Sequence, residues 1–357
     1  MAYTTIDDPR LYFNTVTWTG NDADSRDITG VGFQPDWVWG RRRDDAAGHN
    51  LLDVVRGAGQ DSELQSNSTG IEGAGAQDRF GFLSAFLSDG FRVEDGSEAT
   101  GDKAYWNQNS ATYVAWNWKA GGTASSNTDG SITSSVSAST VAGMSIVSYT
   151  GTGSALTCGH GLGAVPRMII VKDRDASANW NTYHAEVGNA KTIQLNLATA
   201  ESATSSWNST TPTSSVFSLG AVSAVNTSGN DYIAYCFAEK KGYSKIGTYT
   251  GNGNADGPFV YTGFKPAWIF VNNKVQADDW YMFDNKRSPF NQVQNNLKPN
   301  SSSAEASSTS YAFDFLSNGF KLRAATGAVN NNTDPLIYMA FAESPFVNSK
   351  GVPNNAR

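Results

Sequence analysis

Three near-copies of one segment lie within these 357 residues, and a repeat of this length must be recognised first, because overlooking it misassigns the whole fold. The segments TWTG, SYTG and TYTG end at Gly20, Gly151 and Gly251, and each is followed fifteen residues later by a proline, Pro35, Pro166 or Pro266. The prolines stand in GFQPDWVW, GAVPRMII and GFKPAWIF. Shifts of 131 and then 100 residues carry His49 onto Trp180 and Trp280, and Asp53 onto His184 and Asp284. With a first shift of 129 in place of 131, Gln65/Asn67 match Gln194/Asn196 and then Gln294/Asn296. Each copy ends in a similar run: YVAWNWKA, YIAYCFAE and LIYMAFAE. This gives an arm at 1–13, units at 14–120, 144–242 and 243–344, a Gly/Ser/Thr-rich linker at 121–143 and a tail at 345–357. The linker reads as flexible or as an extended, wrapped connection.

The closing runs alternate with period two, which is the signature of a strand. Val114, Trp116 and Trp118 point one way, as do Ile233, Tyr235, Phe237 and Ile337, Met339, Phe341, while the opposite face carries mainly small residues such as Ala115, Ala234, Cys236 and Ala340. The large set must face a core, and the small set suits close approach of a second sheet or a neighbouring chain. The runs after the prolines are apolar on both faces, as expected of a central strand covered on both sides. No window has convincing helical spacing, and turn signals recur about every ten residues. The expected fold is all-β, three related antiparallel β-sandwich or jelly-roll-like units in tandem, each large enough for its own core.

Aromatic residues make up 12% and charged residues only 17%, a balance that excludes a disordered chain. The net charge of −7 offers no footprint for nucleic acid or an anionic membrane. No run reaches the length of a spanning helix, and the start lacks the pattern of a signal peptide.

Candidate chemistry is sparse. His49, His160 and His184 fit no hydrolase or metalloprotease motif, and each reads as structural or superficial. His184 stands where the other units have Asp, so that position is either a ligand contact or, the preferred reading, a hydrogen bond at a strand end. Gly159–Gly163 and Gly251–Asn254 open no helix and read as turns rather than phosphate loops. Asp22/Asp24 and Asp278/Asp279 lack calcium-site spacing and read as solvated loop acids. Cys236 reads as packing, Cys158 lies in a turn-rich segment of the same unit, and a bridge between the two is not the expectation for a cytoplasmic product. The Gln/Asn pairs could meet sugar hydroxyls, but a hydrogen-bonding outer face or a contact between neighbouring units is preferred. No catalytic residue, metal ligand or cofactor is expected, and no ligand-binding residue is singled out.

The phrases MAYTTIDDP, DITGVGFQPDWVW, TYVAWNWKAG, YIAYCFAEKKGYSKIGTYTGNGNADGPFVYTGFKPAWIF and IYMAFAESPFVNSKGVPNNAR resemble a family of tailed-phage virion proteins, tail-fibre-like or structural, common in phages of aquatic bacteria. The resemblance covers nearly the whole chain and carries over no catalytic residue. It implies a non-enzymatic virion protein, assembled in the host cytoplasm, that functions as a tail fibre or receptor-binding component. The implied partners are other virion proteins, further copies of itself as a trimer, and a host surface glycan or protein. A head fibre or decoration protein and a glycan-degrading spike are the alternatives.

Overall fold

A computed structural model describes residues 3–73 and 78–354; the outermost residues of the expected arm and tail, and part of the middle of unit one, lie outside this range. The fold is all-β and antiparallel, with only single-turn helices among the described residues. Each unit builds one main sheet from strands in the same spatial order: opening, closing, inner, third. The opening strands are Phe13–Thr19, Met144–Thr150 and Ser244–Thr250. The inner strands are Trp37–Arg42, Met168–Asp173 and Phe264–Asn273. The third strands are His49–Asp53, Asn181–His184 and Tyr281–Asp284. The closing strands are Thr112–Trp118, Asp231–Phe237 and Pro335–Pro345.

The two faces of the closing strands separate as their alternation predicts. Val114, Trp116 and Trp118 join Ile233, Tyr235, Phe237 and Ile337, Met339, Phe341 in one common cluster. The small faces look outward onto three separate clusters. Ala115 meets Phe91 and Trp106, Ala234 and Cys236 meet Phe217 and Leu219, and Ala340 and Ala342 lie with Phe313 and Phe320. A smaller sheet or hairpin supplies each outer layer. The expectation of three independent cores in tandem is therefore corrected. Each unit has an outer core of its own, but its largest residues go to a core shared by all three. Nine of the ten tryptophans are buried, so the shared and outer cores claim nearly all of the largest side chains.

The TG signature has a local cause in every unit. Trp18 Nε1, Tyr149 Oη and Tyr249 Oη donate to the carbonyls of Trp106, Val225 and Val329 at 2.9, 2.8 and 2.6 Å. Two residues on, the chain passes so close to a crossing segment that a Cβ on Gly20, Gly151 or Gly251 would lie 1.9, 2.2 or 2.1 Å from the carbonyl oxygen of Gln108, Thr227 or Asn331. Asn107, Asn226 and Asn330 then accept from the backbone N–H of Asn21, Thr152 and Asn252. Gly151→Ala is expected to lower stability by about 2 kcal/mol or more, because backbone, not a side-chain tip, must move. A urea midpoint shift measures this, and an unchanged midpoint would count against so tight an approach.

Segment 121–143 is not a loose linker. Ser134–Ser139 pairs with Met144–Thr150, and Ser125–Asn127 pairs with Ser134–Ser139, widening the sheet of unit two. Small side chains permit this close wrapping: Ser134 Oγ donates to Gly159 O at 2.9 Å, and Gly121 and Gly130 press against the Ala138 and Thr157 backbone.

Candidate functional site: the seams between units

One set of polar residues that recurs in the repeat lies at the seams between units. Glu72 N donates to Arg174 O at 2.8 Å, Glu201 N to Lys274 O at 2.7 Å, and Glu305 N to Arg43 O at 2.7 Å. The side chains repeat the connection through the Arg174–Glu72 pair at 2.5 Å, Lys274–Glu201 at 3.6 Å and Arg43–Glu305 at 2.8 Å. Unit two thus holds unit one, unit three holds unit two and unit one holds unit three, which closes a ring. Arg43, Arg174 and Lys274 stand at matched positions under the shifts of the repeat.

Trp180 and Trp280 also serve this ring, and His49 stands at the position matched to them. The backbone N–H groups of His49, Trp180 and Trp280 donate to Asn67, Asn196 and Asn300 at 2.8, 2.9 and 3.1 Å. The Trp180 and Trp280 indoles donate to the carbonyls of Gln65 and Gln194 in the preceding unit, each at 3.1 Å. The third copy of the amide motif is therefore Leu297-Lys298-Pro299-Asn300, not the segment at Gln294/Asn296. The bridge Met282–Leu297 agrees, matching Leu51–Leu64 and Thr182–Ile193. Four extra residues in unit three shift the register, and a Lys suffices where the backbone carbonyl makes the contact.

The position Asp53/His184/Asp284 is the most informative. Asp53 accepts from Arg56 Nε at 2.6 Å and from Tyr235 Oη of unit two at 2.8 Å. Asp284 accepts from Arg287 Nε at 2.5 Å and from Trp116 Nε1 of unit one at 3.0 Å. His184 Nε2 lies 3.4 Å from the Tyr338 carbonyl of unit three. Where Arg56 and Arg287 stand, unit two has Val187, and where Tyr235 and Trp116 donate, unit three offers Met339. The third seam has exchanged a buried ion pair and its donor for a neutral imidazole, a valine and a thioether. The preferred reading of a strand-end hydrogen bond describes the contact, and all four side chains of the two ion pairs are fully buried.

The histidines share one tautomer. Each Nδ1 accepts from an N–H, of Trp39 for His49, Leu162 for His160 and Glu186 for His184, so Nε2 carries the proton. Burial pushes the imidazole of His184 down to about 3, and burial likewise lowers His49 well below the ordinary range and lowers His160.

One matched position on the inner strand reaches across two seams and serves unit three internally. Arg41 donates to the Ser302 and Ser303 carbonyls, and Lys172 Nζ to Thr69 O, while Asn272 donates to Asp278 O and Asp279 O. Burial lowers Arg41 to about 10 and Lys172 to about 8.

The other sequence candidates are dispersed. Asp24 pairs with Lys103 and Asp279 with Lys298, and no group of three or more His, Cys, Asp or Glu among the described residues could hold a metal ion. Cys158 and Cys236 are buried free thiols, the first pushed up to about 12 by burial. Among the described residues no helix is long and apolar enough to cross a membrane. A cleft of about 570 Å³, a size that can take a ligand, lies between units one and three and is lined by Phe13, Asn14, Thr15, Ala267, Asn285 and Glu343 among others.

Residues 8–345 match the family model of a domain of unknown function, DUF7483. No curated protein matched the chain.

Proposed function

This chain belongs to the DUF7483 family, and we propose that it is a non-enzymatic bacteriophage virion protein, a tail fibre or receptor-binding component contacting the host surface. One observation carries the non-enzymatic part: the matched polar residues Asp53, His184 and Asp284, and the matched Glu72, Glu201 and Glu305, are bonded across seams, where they close a ring, instead of converging on a cavity. A group that acts on substrate must have its reactive atoms exposed to that substrate, whereas the Asp53, His184 and Asp284 side chains are buried and already bonded to neighbouring units. The virion role rests on the resemblance of the quoted phrases. A β-body held by bonds between its units suits a particle surface, with loops between strands free to contact a partner.

The test is to label intact phage with antibody against the purified protein and to titrate the protein on susceptible cells. Tail labelling together with saturable cell binding is expected. Head labelling would replace this reading with a head fibre or decoration protein. Absence from the particle would end the virion reading altogether.

A further inference from the structure

The small outer sheets of the three units share one register, and their solvent faces differ. Phe259–Tyr261 of unit three pairs with Gly319–Leu322 as Ser25–Thr29 pairs with Gly90–Glu94 in unit one and Leu156–Gly159 with Val216–Leu219 in unit two. Val260, Ile28 and Cys158 hold one matched position, each opposite a phenylalanine and each turned into its outer core. Alternation turns the residues on either side outward, and these are Asp27 and Thr29, Thr157 and Gly159, or Phe259 and Tyr261. In unit one an ion pair closes the face, with Asp27 accepting from Arg92 Nε at 2.6 Å and Nη2 at 3.2 Å. In unit two segment 121–143 covers it: Thr157 Oγ1 accepts from Ser131 N at 2.8 Å, and a Cβ on Gly159 would lie 1.7 Å from Asn127 Oδ1. In unit three the Phe259 and Tyr261 residues remain 45% and 54% exposed.

The two rings form one surface with polar ends. Phe259 leans across the bare backbone of Gly319, the residue opposite Tyr261, where a Cβ would come within 3.0 Å of the Phe259 ring. Beside Phe259, the Asp256 carboxylate is 81% exposed and pairs with Lys321 at 2.9 Å. Beside Tyr261, the Tyr3 hydroxyl lies 3.0 Å from the Tyr261 hydroxyl. Two half-exposed rings offer on the order of 200 Å², too little for a stable protein interface, which takes about 800 Å² from each partner. A wholly apolar ligand would strip water from the Asp256 carboxylate without replacing its hydrogen bonds. A sugar ring answers both parts of the surface. Its C–H face meets the negative π-faces, and its hydroxyls, each donor and acceptor, meet the carboxylate, the ammonium and the tyrosine hydroxyls.

From this we infer that Phe259 and Tyr261 are a stacking platform for a saccharide, one ring of a longer glycan lying across them with its hydroxyls on Asp256, Lys321 and Tyr3. The inference gives the host-contact reading a site and a ligand class, and it rests on that reading for the source of the glycan.

The experiment titrates the whole protein on susceptible cells that are untreated, oxidised with mild periodate, which cleaves the vicinal diols of sugars, or treated with protease. Binding is expected to survive protease and to weaken at least about tenfold after periodate. Phe259→Asp combined with Tyr261→Thr installs the residues of unit one, with Lys321 facing the new carboxylate as Arg92 faces Asp27. That variant is expected to keep its urea midpoint and to bind untreated cells at least about tenfold more weakly. Should it misfold, Phe259→Ser, which removes one ring and keeps the Tyr261–Tyr3 contact, is expected to weaken binding in the same direction. Binding at the parent's level by a folded variant would overturn the platform and leave the host contact standing. Binding lost to protease and kept after periodate would make the receptor a protein and overturn the saccharide. Absence of binding to untreated cells would end the host-contact reading and this inference with it.

Discussion

Arg56→Ala is expected to cost roughly 3–5 kcal/mol, because it strands the Asp53 carboxylate in a fully buried site. Arg56 also donates to the Leu51 carbonyl at 3.0 Å and to Glu72 at 2.9 Å, so truncation leaves several acceptors unsatisfied at once. The chain itself contains the compensated alternative. At the seam between units two and three, the equivalents of Asp53, Arg56 and Tyr235 are His184, Val187 and Met339. Grafting that set as Asp53→His, Arg56→Val and Tyr235→Met removes the charge, its counter-charge and the donor together. Replacing a whole buried pair by matched neutral groups is often near neutral, so the triple variant is expected to be clearly less damaged than Arg56→Ala, with a remaining cost of about 1–3 kcal/mol for the Leu51 carbonyl and Glu72, which lose their donor in both variants. Urea unfolding of the two variants at neutral pH decides the matter. If the triple variant is as damaged as Arg56→Ala, the ion pair contributes something the neutral set cannot replace, and the equivalence of the seams fails.

Much of this architecture was legible in the repeat. The period-two alternation of Val114-Ala115-Trp116 and its two copies assigned the large face to a core and the small face to a second layer, because strand geometry leaves no other outcome for such a pattern. The Asp53/His184/Asp284 position was legible as a polar site at a strand end. That the three large faces share one core was not, since alternation says which side is buried and nothing of what buries it. Nor was the ring, because its closing bonds run through the backbone atoms of Glu72, Glu201 and Glu305, which no side-chain pattern records. The co-substitution of Val187 for Arg56 and Arg287 was within reach of the same shifts. Met339 for Tyr235 was harder, because insertions between the third and closing strands change the shift.

The seams also explain why charge is scarce. An acid or base inside a closed ring needs its partner in the next unit, so each buried charge adds a constraint on two units at once. Two seams meet this with Asp–Arg pairs and the third avoids it with His184, which gives that seam a group sensitive to acid.

Acidification below pH 6.5 is expected to weaken the fold through His184 before its carboxylates titrate. Burial is the main cause of its depressed value, the Tyr338 carbonyl opposes the shift slightly, and the Arg167 and Lys274 charges add to it. The folded pKa of about 3 lies below the ordinary 6.5, so between these values the unfolded chain binds the proton and the folded chain does not. Stability is therefore fully present above pH 6.5 and falls as the pH drops through this window, by an amount on the order of 2–3 kcal/mol at pH 4.5. His49, also lowered well below its ordinary value, acts in the same direction. His184→Asn isolates the single contribution: an amide oxygen can accept from the Glu186 N–H, now 3.1 Å from Nδ1, but takes up no proton. That variant is expected to be about 1 kcal/mol less stable than the parent at pH 7, from imperfect packing, and more stable than the parent at pH 4.5. The order of the two urea midpoints at these pH values is the measurement. If the variant remains the weaker protein at pH 4.5, His184 is not held neutral in the fold.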